Sequence, residues 1–231
     1  MSTARPRASD LLSGSVAVRS VPLLLIVAVG TLMGCAGEAP SELDRYVAAD
    51  DGAYAWEEVS RSDLPGGAAA YRLRLTSQQW RETTWRHTLY VVAPERIETH
   101  PTLVLLVVAG DSGGGDALLY GAAIAGGIGA PVAVLHDIPN QPLLGGLRED
   151  ALIAETFARY METGDAGWPL LLPMVRSAVR AMDAVEEFVE AELSVPVSGF
   201  VVTGGSKRGW TTWLTAAVDG RVQAIAPACL R

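Results

Sequence analysis

The sequence predicts a three-layer α/β fold, with helices packed against a mostly parallel sheet. Three observations predict it. The runs "TLVLLVVAG" at 102–110 and "PVAVLHDI" at 131–138 are continuously apolar and rich in branched residues, as strands buried on both faces are. Strand-like and helix-like segments alternate from there on, which is the pattern of a parallel sheet with crossover helices. Two glycine clusters, Gly110 to Gly115 and Gly204 to Gly209, directly follow apolar runs, and ligands bind beyond the carboxyl ends of such strands.

The elements are justified in order. In "AYRLRL" at 70–75, Tyr71, Leu73 and Leu75 alternate with Arg72 and Arg74, the period of a half-exposed strand. "HTLYVVAP" at 87–94 is a second strand, stopped by Pro94. Between them "TSQQWRETTW" is expected to be a loop holding Trp80 and Trp85. Antiparallel pairing is expected only at this start of the sheet. A small-residue helix is expected to end near Ile128, and "PNQPL" to form a stiff loop after the strand at 131–138. "EDALIAETFARYM" at 149–161 reads as a helix. The strongest helical signal follows, with Val175, Ala178, Val179, Met182, Val185, Phe188 and Val189 at steps of three and four. Pro173 suits its first turn. A strand at 200–203, a helix after Ser206 and a last strand "RVQAIAP" complete the reading.

The chain has 231 residues, a length that fits one α/β domain and a leader. Its net charge is -8, with 17 Arg and one Lys against 26 acidic residues, so a general nucleic-acid surface is not expected. Residues 1–34 read as a targeting segment. Arg5, Arg7 and Arg19 precede the apolar stretch "VPLLLIVAVGTL" at 21–32, which is short for a membrane span. Leu32-Met33-Gly34-Cys35 resembles a bacterial lipobox. It predicts cleavage before Cys35, a lipid on Cys35, and a protein exported to the cell envelope and held at a membrane. The other reading is an ordinary signal peptide with a chance Cys. Residues 35–52 read as a tether and 53–231 as the folded domain. Cys35 and Cys229 are the only cysteines, and neither has a ligand at metal spacing, so no disulfide framework and no zinc site are implied. No cofactor motif appears: the glycine clusters match neither the phosphate-loop order nor the dinucleotide fingerprint.

"FVVTGGSKRGWTTWL" at 200–214 carries the chemistry. A strand, Gly-x-Ser and a helix form the nucleophile-elbow arrangement. Gly204 and Gly205 are the small neighbours that a folded-back turn needs. Ser206 is then the nucleophile, and the backbone N–H of Lys207 is an oxyanion donor at the helix start. The second donor is expected from Gly110 and Asp111. The turn departs from the usual pattern, because Arg208 stands two places after the serine and Gly209 three. The other reading is that Ser206 caps the helix, a role Ser favours. Lys207 and Arg208 stand at the positive end of a helix dipole, where a cation is mildly unfavourable. They are expected to attract an anionic substrate or to pair with Asp or Glu of the missing half.

The segments "TSQQW", "PNQPL", "EDALIAETF", "TGDAGWPLLLPMVRSAVRAMD" and "GGSKRGWTTWLTAAVDGRVQAIAP" together resemble the PhoPQ-activated pathogenicity-related family, which includes the autocrine proliferation repressor proteins. The resemblance runs from Tyr46 to Pro227 and is most specific at 204–213. It implies an α/β-hydrolase-like fold, an exported protein and Ser206 as nucleophile. It also places Lys207 and Arg208 in the signature after the serine, and Asn140 and Gln141 in a loop lining the cleft. In that fold the nucleophile is followed by an acid and then a histidine. Here Asp219 is the one acid after Ser206 and no histidine follows. The chain therefore reads as the N-terminal portion of a longer protein, incomplete and inactive as given. His136, at a strand end, is the candidate substitute base, while His87 and His100 are expected at the far edge of the sheet. Two functions stay open: hydrolysis of acyl or peptide bonds through Ser206, or a non-catalytic, membrane-tethered binding or signalling role.

Overall fold

A computed structural model describes residues 39–98, 103–111 and 116–228. The leader, Cys35, His100, Gly113 to Gly115 and Cys229 lie outside them. Seven strands form one sheet: β1 (Ala55–Asp63), β2 (Ala69–Trp80), β3 (Thr83–Ala93), β4 (Leu103–Val108), β5 (Val132–Leu135), β6 (Gly199–Gly205) and β7 (Val222–Ala228). Five helices join or flank them: α1 (Glu42–Ala48), α2 (Asp116–Ile128), α3 (Glu149–Thr163), α4 (Leu171–Leu193) and α5 (Lys207–Val218). The strand order is β1-β2-β3-β5-β4-β6-β7. Pairing is antiparallel from β1 to β5 and parallel among β5, β4, β6 and β7.

This order places the site. From β4 the chain crosses to β5 on one side, and β6 then lies on the other side of β4. The connections diverge at the carboxyl ends of β4 and β6, which is where open α/β sheets leave a crevice. Val108 stands in register with Gly204, so Gly110, which opens the first glycine cluster, and Gly204 lie at that switch point.

One face of the sheet packs under α1, α3, α4 and α5, around buried Leu73, Leu106, Phe188 and Phe200. The other packs under α2, through Val92, Val132 and Ala125. Helix α4 forms because its apolar stripe meets that first face: Val175, Ala178, Met182, Val185 and Phe188 are all buried. Helix α3 stops where Gly164 turns left-handed at φ 70° and donates its N–H to the Tyr160 carbonyl.

Several expectations are corrected. Residues 76–85 are not a loop. Strands β2 and β3 run on to a two-residue turn at Arg81 and Glu82, with Trp80 in register with Thr83. The reason is burial of the two indoles, which meet edge to face at 6.0 Å, while Trp80 donates to the Gly167 carbonyl. His87 does not begin a strand at the far edge, but sits buried inside β3. The tether reading of 35–52 gives way from Ser41 onward. Ser41 and Asp44 close a capping box on α1. Arg176, buried in α4, donates to the Ala49 carbonyl and pairs with Asp51 at 3.2 Å. Strand β1, which the sequence does not announce, is an exposed edge whose Trp56 reaches Glu187 of α4.

Candidate active site

Ser206 leaves β6 with φ 56° and ψ -123°, a conformation that an L residue adopts only under strain. Its neighbours hold it there. The Ser206 N–H donates to the Ala228 carbonyl at 2.8 Å, and its own carbonyl accepts from Gly209 and Trp210. Its hydroxyl caps nothing and faces solvent, so the helix-cap reading falls. A Cβ on Gly204 would stand 2.7 Å from the Arg208 carbonyl oxygen, and one on Gly209 would stand 3.1 Å from the Gly204 oxygen. Gly204 and Gly209 are therefore the close-approach pair. Gly205 has open space around it, contrary to the expectation. Gly209, three places after the serine, fills the role of the small residue usually found two places after it.

Lys207 and Arg208 both turn to Glu149, the first residue of α3. Arg208 grips it with a fork, Nη2 to Oε1 at 2.8 Å and Nη1 to Oε2 at 3.0 Å. Lys207 Nζ lies 2.5 Å from Glu149 Oε2 and 2.9 Å from Asp150 Oδ1. Hydrogen bonds from Arg208, then Lys207 and Gln141, outweigh burial and hold the Glu149 carboxyl at about 2. Burial alone would lower Lys207, but its two carboxylates raise it above its usual range. Lys207 is thus a fixed cation and no proton acceptor.

The network reaches the loops opposite. Gln141 Nε2 donates to Glu149 Oε1 at 2.6 Å and to Asp111 Oδ1 at 3.1 Å, and Gln141 Oε1 accepts the Glu149 N–H at 2.7 Å. Arg148 also holds Asp111, at 2.9 Å. Arg208 Nε donates to the Ile138 carbonyl, and the Asp137 N–H donates to the Gly110 carbonyl. A Cβ on Gly110 would meet the Arg208 guanidinium at 2.8 Å. Four segments, at 109–111, 137–141, 148–150 and 206–208, are therefore bound into one unit around the turn. Asn140 is turned away to the Arg86 carbonyl.

The candidate bases and acid lie elsewhere. The His136 ring is buried edge to face with Tyr90 at 5.8 Å, and among the described residues neither of its nitrogens finds a partner. His87 is buried with Nε2 2.8 Å from Ser77 Oγ and Nδ1 3.2 Å from the His136 carbonyl. Desolvation drives its pKa down to about 4. Asp219 ends α5, roughly 18 Å along the helix from its start, and is held by Arg221. Sequence reasoning missed Glu149 and Asp150. The one available signal was two adjacent cations at a helix start, which require carboxylates nearby.

In front of Ser206 a cleft of about 570 Å³ runs between α3 and α5, lined by Ile153, Ala154, Phe157, Trp210 and Trp213, with Asp150 and Lys207 at its polar end. Among the described residues no cluster of side chains is arranged to hold a metal, and no helix is long and apolar enough to cross a membrane.

Comparison with solved structures gives the same fold. The chain matches an acetyl xylan esterase from Paenibacillus sp. R4 at TM-score 0.53 and 18% identity, covering 80% of this chain and 57% of that one. It matches acetyl xylan esterase 1 from a Thermoanaerobacterium species at 0.53 and 19%, covering 82% and 59%. A glucuronoyl esterase from Solibacter usitatus follows at 0.51 and 14%, covering 80% and 57%. At such identities the likeness is one of α/β-hydrolase-type fold. By sequence, the chain is 32% identical to autocrine proliferation repressor protein A of Dictyostelium discoideum over 225 aligned positions, covering 88% of this chain and 43% of that protein. The chain thus spans less than half the length of this relative. The family model described as PhoPQ-activated pathogenicity-related protein matches residues 43–231, and the chain belongs to that family.

Proposed function

We propose that the chain carries the nucleophile and oxyanion site of a serine hydrolase acting on acyl or peptide bonds. The strained, uncapped Ser206 at the sheet's switch point carries this reading. Ser206 Oγ attacks the carbonyl carbon, and the backbone N–H of Lys207 receives the developing oxyanion with a second donor from the Gly110–Asp111 turn. A donor of this kind is worth roughly 3 kcal/mol in comparable sites. Neither His87 nor His136 lines the cleft with Ser206, so the general base and its acid come from outside the described residues. The lipobox-like Leu32 to Cys35 supports export and a lipid anchor on Cys35 in a bacterial envelope. Mass spectrometry of the mature N-terminus tests this: an unmodified Cys35, or cleavage elsewhere, ends the anchor.

The test of the hydrolase reading is p-nitrophenyl ester turnover. It compares this chain with a form lengthened by the unaligned remainder of the repressor-type relative, each with Ser206 and with Ser206→Ala. The chain alone is expected to stay near background. Without a triad base, the oxyanion site and binding leave about 10³-fold over water in a related system. The longer form is expected to gain turnover that Ser206→Ala abolishes. Equal turnover in both forms would mean that a base such as His136 serves after all. Turnover indifferent to Ser206→Ala would favour the second reading, a membrane-tethered binding or signalling protein. The absence of His87 and His136 from the cleft supports that alternative.

A further inference from the structure

Trp210 and Trp213 are the largest apolar side chains left open near the site, 50% and 59% exposed. They stand three residues apart on α5 and so share one face of it. Across from them α3 presents Ile153, Ala154 and Phe157, and Ser206 opens into the same cleft. Large apolar side chains are normally singly scattered on a surface, and their convergence beside a reactive group marks a binding surface.

The charges at the polar end do not favour an anionic ligand. Lys207 and Arg208 are matched by Glu149 and Asp150, so among the described residues no unopposed cation faces the cleft. The partners of these cations are thus Glu149 and Asp150 of this chain, not carboxylates of a missing half. A saccharide is also poorly served. A sugar ring can stack on the two indole faces, but its hydroxyls need several donors and acceptors, and beyond the Ser206 hydroxyl and two indole N–H groups this wall offers only hydrocarbon and the end already occupied by the ion pairs.

We infer that the α3–α5 cleft binds an apolar acyl group, the part of an ester that stays on Ser206 after attack while the alcohol leaves. The inference rests on the serine-hydrolase reading for the word acyl, while the preference for an alkyl chain rests on the wall itself. Each methylene that leaves water for such a wall tightens binding by about fourfold.

The test is a titration of the chain with 1-butanol, 1-hexanol and 1-octanol, followed by indole emission, with a xylo-oligosaccharide as the competing class. Affinity is expected to rise by up to about fourfold per methylene. The rise should be lost in Trp213→Ala and weakened in Trp210→Ala, both exposed positions at which the fold tolerates truncation; unfolding midpoints of the variants check that. Alkanols do not use the serine hydroxyl, so Ser206→Ala should leave the gradient intact. A failed nucleophile is then seen only in the ester assay, and a failed cleft only here. The inference is overturned if affinity is flat with chain length, if it survives Trp213→Ala, or if the oligosaccharide binds more tightly than octanol.

Discussion

Two cations directly after a serine at a helix start set a problem that Glu149 solves. Its carboxylate sits in the first turn of α3, where the helix dipole favours negative charge, and takes the Arg208 fork and the Lys207 ammonium together. Removing it leaves Lys207 and Arg208, 10% and 12% exposed, short of their partner. Glu149→Ala is therefore expected to destabilise the fold by about 2 kcal/mol. That is below the roughly 3–5 kcal/mol of a fully buried pair, because solvent screens a carboxylate that is 41% exposed. Urea unfolding checks it, and an unchanged midpoint would mean the turn holds without the clamp. The need for a carboxylate was legible in the sequence, whereas its identity was not. Glu149 stands 58 residues from Lys207, and nothing local connects them. The glycines were legible in the same partial way. The cluster announced a tight turn, but only backbone geometry separates Gly204, which a Cβ would drive into the Arg208 carbonyl, from Gly205, which has room.

Among the elements, the long helix α4 was readable from its steps of three and four, and strands β4 and β5 from their continuous apolar runs. The β2–β3 hairpin was not. Its turn residues, Arg81 and Glu82, lack the glycine or asparagine that usually marks a two-residue turn, and Arg81 takes φ 55° itself. What holds the hairpin is the buried indole pair and a polar cluster beneath it. There Ser77 touches both His87 and Ser177, at 2.8 and 2.9 Å, and Gln78 donates to the Pro173 carbonyl. That cluster makes the hairpin acid-sensitive. Folded His87 stays neutral down to about pH 4, while in the unfolded chain it takes a proton near 6.5. The unfolded state thus binds more protons between those values. Stability is full above about pH 6.5 and falls as pH drops toward 4, by up to about 3 kcal/mol. Denaturant unfolding at pH 7 and pH 4.5 is expected to show this loss. His87→Gln, which cannot titrate, should flatten the His87 part of it. Glu149 adds a separate loss at lower pH, as its carboxylate is protonated below about 4.5 toward 2.

At the scale of the whole molecule, alternation of apolar runs and helices was enough to give the class, the parallel half of the sheet and the place of Gly110 and Gly204 at strand ends. The order of strands was beyond it, since order depends on which apolar faces meet. That order leaves two edges, and they differ. Strand β1 carries Glu57, Glu58, Arg61 and Asp63 and is bulged between Glu58 and Ser60, the devices that keep an edge from pairing with a second chain. Strand β7 reads VQAIAPA, with no charge along its length, and its Gln223, Ala224, Ala226 and Ala228 are exposed. Among the described residues no strand pairs with its outer side. Pro227 removes one donor from that edge, but the remaining N–H and carbonyl groups still form a template for another strand. The chain by itself is therefore expected to self-associate through β7 at micromolar concentration. Ala224→Lys, a charge placed on the exposed edge with no core contact to lose, should return it to a monomer without changing its unfolding midpoint. Sedimentation velocity across a concentration series decides. A wild-type chain that stays monomeric at every concentration would show that Pro227 suffices to close the edge. Association that persists in Ala224→Lys would place the contact on some other face.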